Sequence, residues 1–231
     1  MGAGILASRY TARMAISPER ILYEDDHLLA VNKLAGELTV MAGGKGKLPL
    51  FDFLHKTHPG LRVLHRLDFG TSGIVVFAKT AEAAEQVKKS KFAGWKKTYR
   101  LIAAGYMETK NGTIKKPLPA REHDGNVEAI THYRVIQSFK IASYVEATIE
   151  TGRKHQIRKH FASIGHPLAM DPLYGDAKKD KAFAKALKFQ KFFLHAFSLQ
   201  LPHPITGEKI NLVAQLPKAF LEAIDKLRHR Q

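Results

Sequence analysis

The chain contains no cysteine. That excludes disulfides, thiolate metal centres and a cysteine nucleophile, and it suits a reducing compartment. No run of about 18 apolar residues occurs, so no segment reads as a helix that crosses a membrane. Acidic residues are few beside basic ones, 21 Asp and Glu against 37 Lys and Arg, and the formal net charge is +16. A field of that sign attracts polyanions, nucleic acid first among them. There is no G-x-S-x-G elbow, and no G-x-G-x-x-G follows a strand. The Gly-rich stretch "GELTVMAGGKGKLP" has neither the spacing nor the Lys-Ser/Thr pair of a phosphate loop of the Walker type.

What is present is globular. The 231 residues are 45% hydrophobic, enough for one large domain or a domain with two lobes, with a core that needs no staples. The N-terminus "MGAGILASRYTARM" lacks acids and has no signal-peptide core of useful length. It fails the myristoylation pattern because Leu6 holds the required Ser or Thr position. Residues 1–20 read as a disordered leader, with Met14 a second candidate start, and 21–231 as a single domain.

Turn signals and periodicity place the elements. "RILYEDDHLLAVNKLAG" reads as two strands around a turn at Asp25 and Asp26. The apolar run Ile74, Val75, Val76, Phe77, Ala78 reads as a buried strand. "TAEAAEQVKKSKFAG" is a helix, capped by Thr80, with lysines at its C-terminal end and Gly94 to stop it. "KTYRLIAAGY", "VEAITHYRVIQ" and "ASYVEATIE" read as strands. Asn111-Gly112 suits a type I′ hairpin turn. In "TGRKHQIRKHFASIG" the helical spacing of Ile157, Phe161 and Ile164 makes a buried stripe closed by Gly165. "KKDKAFAKALKFQKFF" is a further helix, with Phe183, Ala186 and Leu187 facing inward and Lys181, Lys185 and Lys188 on a second face. That face is either solvated or an RNA contact. Strands, hairpins and helices in this order indicate an α+β fold with a mixed, mostly antiparallel sheet.

Twelve histidines invite a metal reading. However, His155 and His160 lie five apart and do not share a helical face, and "HKTHPG" has no acidic neighbour, so no metal site is expected. What remains is Asp68, just after His65 and Arg66, with Arg153 and Arg158 in a later segment. A carboxylate near arginine stays ionised, and it can then act as nucleophile or base.

The stretch "HRLDFGTSG" closely resembles the H-R-L-D-x-x-T-S-G segment of the RluA-type pseudouridine synthase family. "KKTYRLIAAG" resembles that family's K-x-Y strand, and "TGRKHQIRKHFASIGHPLAMDPLYG" its T-G-R-x-H-Q-I-R-x-H helix and following H-P-x-x-x-D-x-x-Y-G loop. "HAFSLQLPHPITGE" and "YEDDHLLAVNKLAG" resemble its late and opening strands, and all five segments stand in family order. The resemblance implies the pseudouridine synthase fold, a sheet with flanking helices and a central catalytic cleft, without an S4-type RNA-binding domain. It makes Asp68 the catalytic aspartate, Arg158 its ionic partner and Tyr99 a catalytic residue that would stack on the target base and help remove the proton from its C5. Ile157 would pack on that base, and Arg66 would fill the stack it leaves on flipping out. His65 and Arg153 join the substrate-binding set. The implied protein is a monomeric cytoplasmic enzyme acting on ribosomal or transfer RNA, with no cofactor, metal or membrane partner. Leu34 stands where the family usually has proline, and Met170 where glycine is common. Two other classes stay open: a non-catalytic RNA-binding module, and a nucleosidase or glycosidase pairing Asp68 with another carboxylate such as Asp171.

Overall fold

The computed structural model describes residues 16–41, 48–120 and 125–229. Residues 1–15, most of the expected leader, lie outside the described residues. Within 16–20 the chain is already structured, since Pro18–Arg20 forms a short 3-10 helix. The elements that follow, in chain order, are β1 (Ile21–Glu24), β2 (Leu28–Lys33), α1 (Leu50–Thr57), β3 (Arg62–Val63), β4 (Ser72–Ala78), α2 (Ala81–Lys89), β5 (Lys96–Ala104), β6 (Asn111–Lys115), β7 (Leu118–Pro119) and β8 (Asn126–Val127). After them come β9 (Ile130–Ser138), β10 (Ala142–Ile149), α3 (Gln156–Ser163), α4 (Ala177–Leu187), β11 (Leu194–Pro202), β12 (Lys209–Val213) and α5 (Lys218–Arg228). The fold class is α+β and the pairing is mostly antiparallel. The chain forms two compact units, one of residues up to Trp95 with Leu201–Leu212, the other of Lys96–Gln200 with the residues from Val213 onward.

In the first unit β4 is the central strand. Every residue of it is buried, as its continuous apolar run requires. It pairs antiparallel with β2, from Leu28 opposite Ala78 to Lys33 opposite Gly73, and with the short β3. β1 pairs with β2 across a turn that Asp25 makes, its Oδ1 accepting from the N–H groups of His27 and Leu28 at 2.7 Å each. Thr80 caps α2 as expected, its Oγ1 accepting from Ala83 N–H at 3.2 Å. The helix, however, stops well before Gly94. Lys91 (φ 50°) and Phe92 (φ 63°) turn the chain in the left-handed region, and Phe92 N–H donates back to the carbonyl of Val87. Gly94 serves a close approach instead, since a Cβ there would lie 3.1 Å from Cδ of Pro202.

The second unit is built on the strand order β11-β5-β10-β9-β6, each neighbouring pair antiparallel. Asn111-Gly112 is not a hairpin turn. The two residues open β6, and Gly112 lies opposite Tyr133, whose ring sits 2.8 Å from where a Cβ would be. The glycine is there for ring packing, which a turn signal cannot reveal. On α3, Ile157 and Phe161 are buried, but Ile164 is the C-terminal cap and is 37% exposed. The stripe is therefore one residue shorter than its period suggested. α4 begins at the Asp176 cap and ends at Lys188 (φ 58°), short of the Phe192-Phe193 pair. Phe183 and Leu187 of α4 pack with Phe220, Ile224 and Leu227 of α5 and with Ile102 of β5. That core fixes β5 and the loop entering α4, and both carry site residues.

Candidate active site

In the first unit the site is a single turn. Asp68 lies between β3 and β4, half-buried, and Thr71 N–H donates to its carbonyl at 3.0 Å. The backbone on both sides of it is tied to residues 33–39. Thr39 Oγ1 accepts from Leu67 N–H and donates to the Leu67 carbonyl, at 3.2 Å each. The Phe69 carbonyl accepts from Gly36 N–H at 2.8 Å and from Lys33 Nζ at 3.4 Å. The backbone of Asp68 is thus held from before and behind. Burial pushes the Lys33 ammonium down to about 8, against the pull of Glu37 and Asp68.

The other expected residues of this unit do different work. His65 is half-buried, its Nε2 accepts from Val76 N–H at 3.1 Å, and its ring stands edge-on to Trp95. It fastens the segment ahead of Asp68 to β4. Arg66 is exposed, on the approach to the turn. Leu34, in place of proline, puts its N–H to use, donating to Glu37 Oε2 at 2.9 Å while Arg20 grips the same carboxylate at 2.6 and 3.0 Å. Glu37 thereby supplies the rigidity a proline ring would have given.

In the second unit Tyr99 sits on β5, buried, with alanines opposite on both neighbouring strands, Ala147 and Ala196. Small neighbours on either side keep the face around its ring low. Lys97, on the same face of β5, is pushed down to about 8 by burial.

α3 presents Ile157 and Arg158, both buried, at 3% and 4% exposure. Gln156 fixes the start of that helix with all four of its hydrogen-bonding positions used. Its Oε1 accepts from Thr151 Oγ1 and Arg153 N–H, and its Nε2 donates to the Ile130 carbonyl and to Thr131 Oγ1. His160 is fully buried and donates from Nε2 to the Lys116 carbonyl, so its Nδ1 accepts from Thr131. Burial holds that imidazole below its ordinary range and keeps it neutral. Arg153 is exposed and tied through Nε to the Glu128 carbonyl.

Arg158 is no surface residue. It forms a two-pronged ion pair with Asp171, Nε to Oδ2 at 2.6 Å and Nη2 to Oδ1 at 2.7 Å. Burial pushes the Asp171 carboxyl up, but the Arg158 hydrogen bonds and charge, with the N–H groups of Leu173 and Tyr174, more than reverse this and leave it below its usual value. Asp171 is therefore an anion committed to an arginine, which takes it out of the role of second carboxylate that a glycosidase reading gave it.

The T-G-R-x-H-Q-I-R-x-H segment is thus a helix whose polar residues are consumed in holding it, with Ile157 and Arg158 as its delivered side chains. The RNA pseudouridylate synthase family matches residues 27–163, which spans the Asp68 turn, the Tyr99 strand and this helix. The chain belongs to that family. Its relatives include proteins named ribosomal large subunit pseudouridine synthase D: that of Nitrosomonas europaea is 36% identical over 234 residues, covering 92% of this chain and 67% of the relative. The protein of that name from Escherichia coli (strain K12) is 32% identical, covering 91% and 71% respectively. Among solved structures, human RNA pseudouridylate synthase domain containing 4 superposes with a TM-score of 0.76 at 26% identity over 97% of each chain. Human RNA pseudouridylate synthase domain containing 1 superposes at 0.70 over 90% of this chain and 94% of its own, and at 23% identity it speaks for the fold alone.

The RluA-type resemblance carried by the five motifs therefore holds, and this pseudouridine synthase converts uridine in RNA to pseudouridine. Two residues the sequence motifs contained but did not single out fasten local structure: Lys33 the turn that carries Asp68, and Gln156 the start of the helix that carries Arg158. Asp171 changes role, from a candidate second catalytic carboxylate to the partner of Arg158. Among the described residues no group of three or more His, Asp or Glu is placed to hold a metal ion, and no helix is long and apolar enough to cross a membrane.

Proposed function

We propose that the enzyme is a monomeric, cytoplasmic synthase that modifies uridines of large-subunit ribosomal RNA, carried by one catalytic domain of residues 21–231. The relatives named for the ribosomal large subunit, 32–37% identical across 87–92% of the chain, support the ribosomal target over transfer RNA. Asp68 is the catalytic carboxylate. The observation that carries this is the turn around it, fastened on both sides by Thr39, Gly36 and Lys33, with Asp68 itself half-buried.

The chemistry is an isomerisation. The Asp68 carboxylate attacks or deprotonates the ribose, or adds to the base at C6, and the bond between N1 and C1′ breaks. The base turns over, C5 bonds to C1′, and the C5 proton leaves to solvent while N1 gains one. Neither electrons nor phosphoryl groups are exchanged. Arg158 keeps the carboxylate ionised, Tyr99 and Ile157 hold the base, and Arg66 fills the gap in the RNA stack once the uridine has flipped out, a step the buried position of C1′ and C5 in a stacked helix requires. His65 and Arg153 anchor the segments on which these residues stand and face the RNA there.

Pseudouridine mapping of total RNA from cells with and without the gene tests the target. Loss of sites confined to large-subunit ribosomal RNA is the expected result, and loss confined to transfer RNA would overturn the assignment.

A further inference from the structure

The loop "HPLAMDPLYG" is built around one guanidinium. Asp171 meets Arg158 side-on through Nε and Nη2, and both side chains are out of solvent, at 5% and 0% exposure. The guanidinium carbon also lies 5.2 Å from the ring centre of Tyr174 and 4.9 Å from that of Phe192. Asp171 Oδ1 accepts in addition from Leu173 N–H at 2.9 Å and Tyr174 N–H at 3.2 Å, so the loop wraps the carboxylate.

The loop is itself pinned. Leu168 bridges to Ala103, and Ala169 N–H donates to the Ile102 carbonyl, both on the strand that carries Tyr99. Met170, where glycine is common, nevertheless adopts the left-handed φ of 64°, and its N–H is held by Asp180 Oδ1 at 2.6 Å. That conformation is costly for a side-chain-bearing residue and persists only where its surroundings enforce it. Gly175 has no room for a Cβ, which would strike the Asp171 carbonyl oxygen and the Asp180 carboxylate.

A buried ion pair is a poor source of stability, because desolvation offsets most of its Coulombic gain. What such a pair provides is one orientation of a long side chain with many rotamers. We propose that Asp171 is a positioning residue for the reaction, which with the rings of Tyr174 and Phe192 locks the Arg158 guanidinium in one orientation. The inference rests on the reading that Arg158 serves the Asp68 carboxylate.

A double-mutant cycle on the full chain tests it, using tritium release from C5-labelled RNA prepared from cells that lack the gene. Asp171→Asn should lower kcat by about 100-fold, the order expected for misplacing a catalytic group by about an ångström, with KM for RNA unchanged. In an Arg158→Met background the same substitution should cost nothing further, and it should raise that variant's melting temperature, because it removes a stranded buried carboxylate. If Asp171→Asn does not fold, Tyr174→Leu, at a partly exposed ring, should show the same kcat loss and the same disappearance of that loss without Arg158. An equal loss in both backgrounds, or wild-type kcat in the Asp171 and Tyr174 variants, would overturn the positioning role. Wild-type activity of Arg158→Met would overturn instead the reading of Arg158 on which it rests.

Discussion

The ammonium of Lys33 donates to the backbone carbonyl of Glu37 at 2.7 Å. It reaches the carbonyls of Leu34 and Phe69 as well, from a side chain with no solvent exposure. Lys33 thus closes residues 34–37 against the Asp68 turn. Lys33→Met would strand the Leu34 and Glu37 carbonyls and should destabilise the protein by about 3 kcal/mol. The turn itself keeps its Gly36 and Thr39 bonds, so the folded variant should retain activity within about threefold of wild type, a difference of well under 1.4 kcal/mol in the barrier. Chemical denaturation and single-turnover kinetics at low temperature separate the two effects.

The same lysine makes stability depend on pH. Burial holds its folded-state pKa at about 8, against an ordinary value of 10.5. Between those values the unfolded chain binds a proton that the native chain has lost, so the Lys33 contribution to stability rises with pH across that window. Below about 8 both states are charged and the native state bears the full cost of burying the ammonium. The gap in melting temperature between wild type and Lys33→Met should therefore widen from pH 8 to pH 10. A gap that stays constant would mean the native lysine stays charged throughout.

What sequence reasoning reaches and what it misses follows from the signals it uses. The buried run of β4, the Thr80 cap and the Ile157-Phe161 stripe are visible because apolar periodicity and capping chemistry are local. The family was legible through its motifs, which carry Asp68, Tyr99 and Arg158 in order along the chain. Lys33, Gln156 and His160 look in sequence like any solvated polar residue, and only the packing around them shows that each is sealed in and hydrogen-bonded. Gly94 and Gly112 carry turn signals, yet Pro202 and Tyr133, both distant in sequence, set their use. The Leu34 departure is compensated by Glu37 and Arg20, a relation made by a tertiary turn.

RNA affinity should depend steeply on salt, and α4 should account for part of that dependence. Lys181 and Lys185 are exposed along one side of the helix, and Lys188 is exposed at its end. Changing all three to Gln should weaken binding to any RNA and reduce the slope of log affinity against log salt by about 2, at roughly 0.7–0.9 for each phosphate that no longer meets a lysine. Filter binding over a range of salt concentrations gives the slope directly. An unchanged slope would return this face to plain solvation.

Arg66 is exposed beside the Asp68 turn, where it can enter a nucleic-acid stack. Flipping a base costs a few kcal/mol in stacked RNA and less in a loose strand. Arg66→Ala should therefore reduce turnover on a structured transcript by 10-fold or more, about 1.4 kcal/mol, while a short unstructured oligonucleotide of the same sequence loses little. Equal losses on the two substrates would take Arg66 out of the flipping step.

Asp68→Asn bears on the mechanism itself. Asparagine keeps the shape of the side chain and most of its hydrogen bonding but has no negative charge, so it can neither attack C1′ nor remove a proton. Thr39, Gly36 and Lys33 hold the turn through the backbone of residues 67 and 69, and none of those bonds uses the Asp68 side chain. The variant should therefore fold, keep its affinity for RNA or gain slightly as a negative charge leaves the site, and form no detectable pseudouridine. Tritium release from C5-labelled RNA measures turnover, and thermal melting of the same preparation shows that lost activity is not lost structure. A well-folded Asp68→Asn enzyme that still releases tritium at a substantial fraction of the wild-type rate would move the chemistry to another group and leave the fastened turn unexplained.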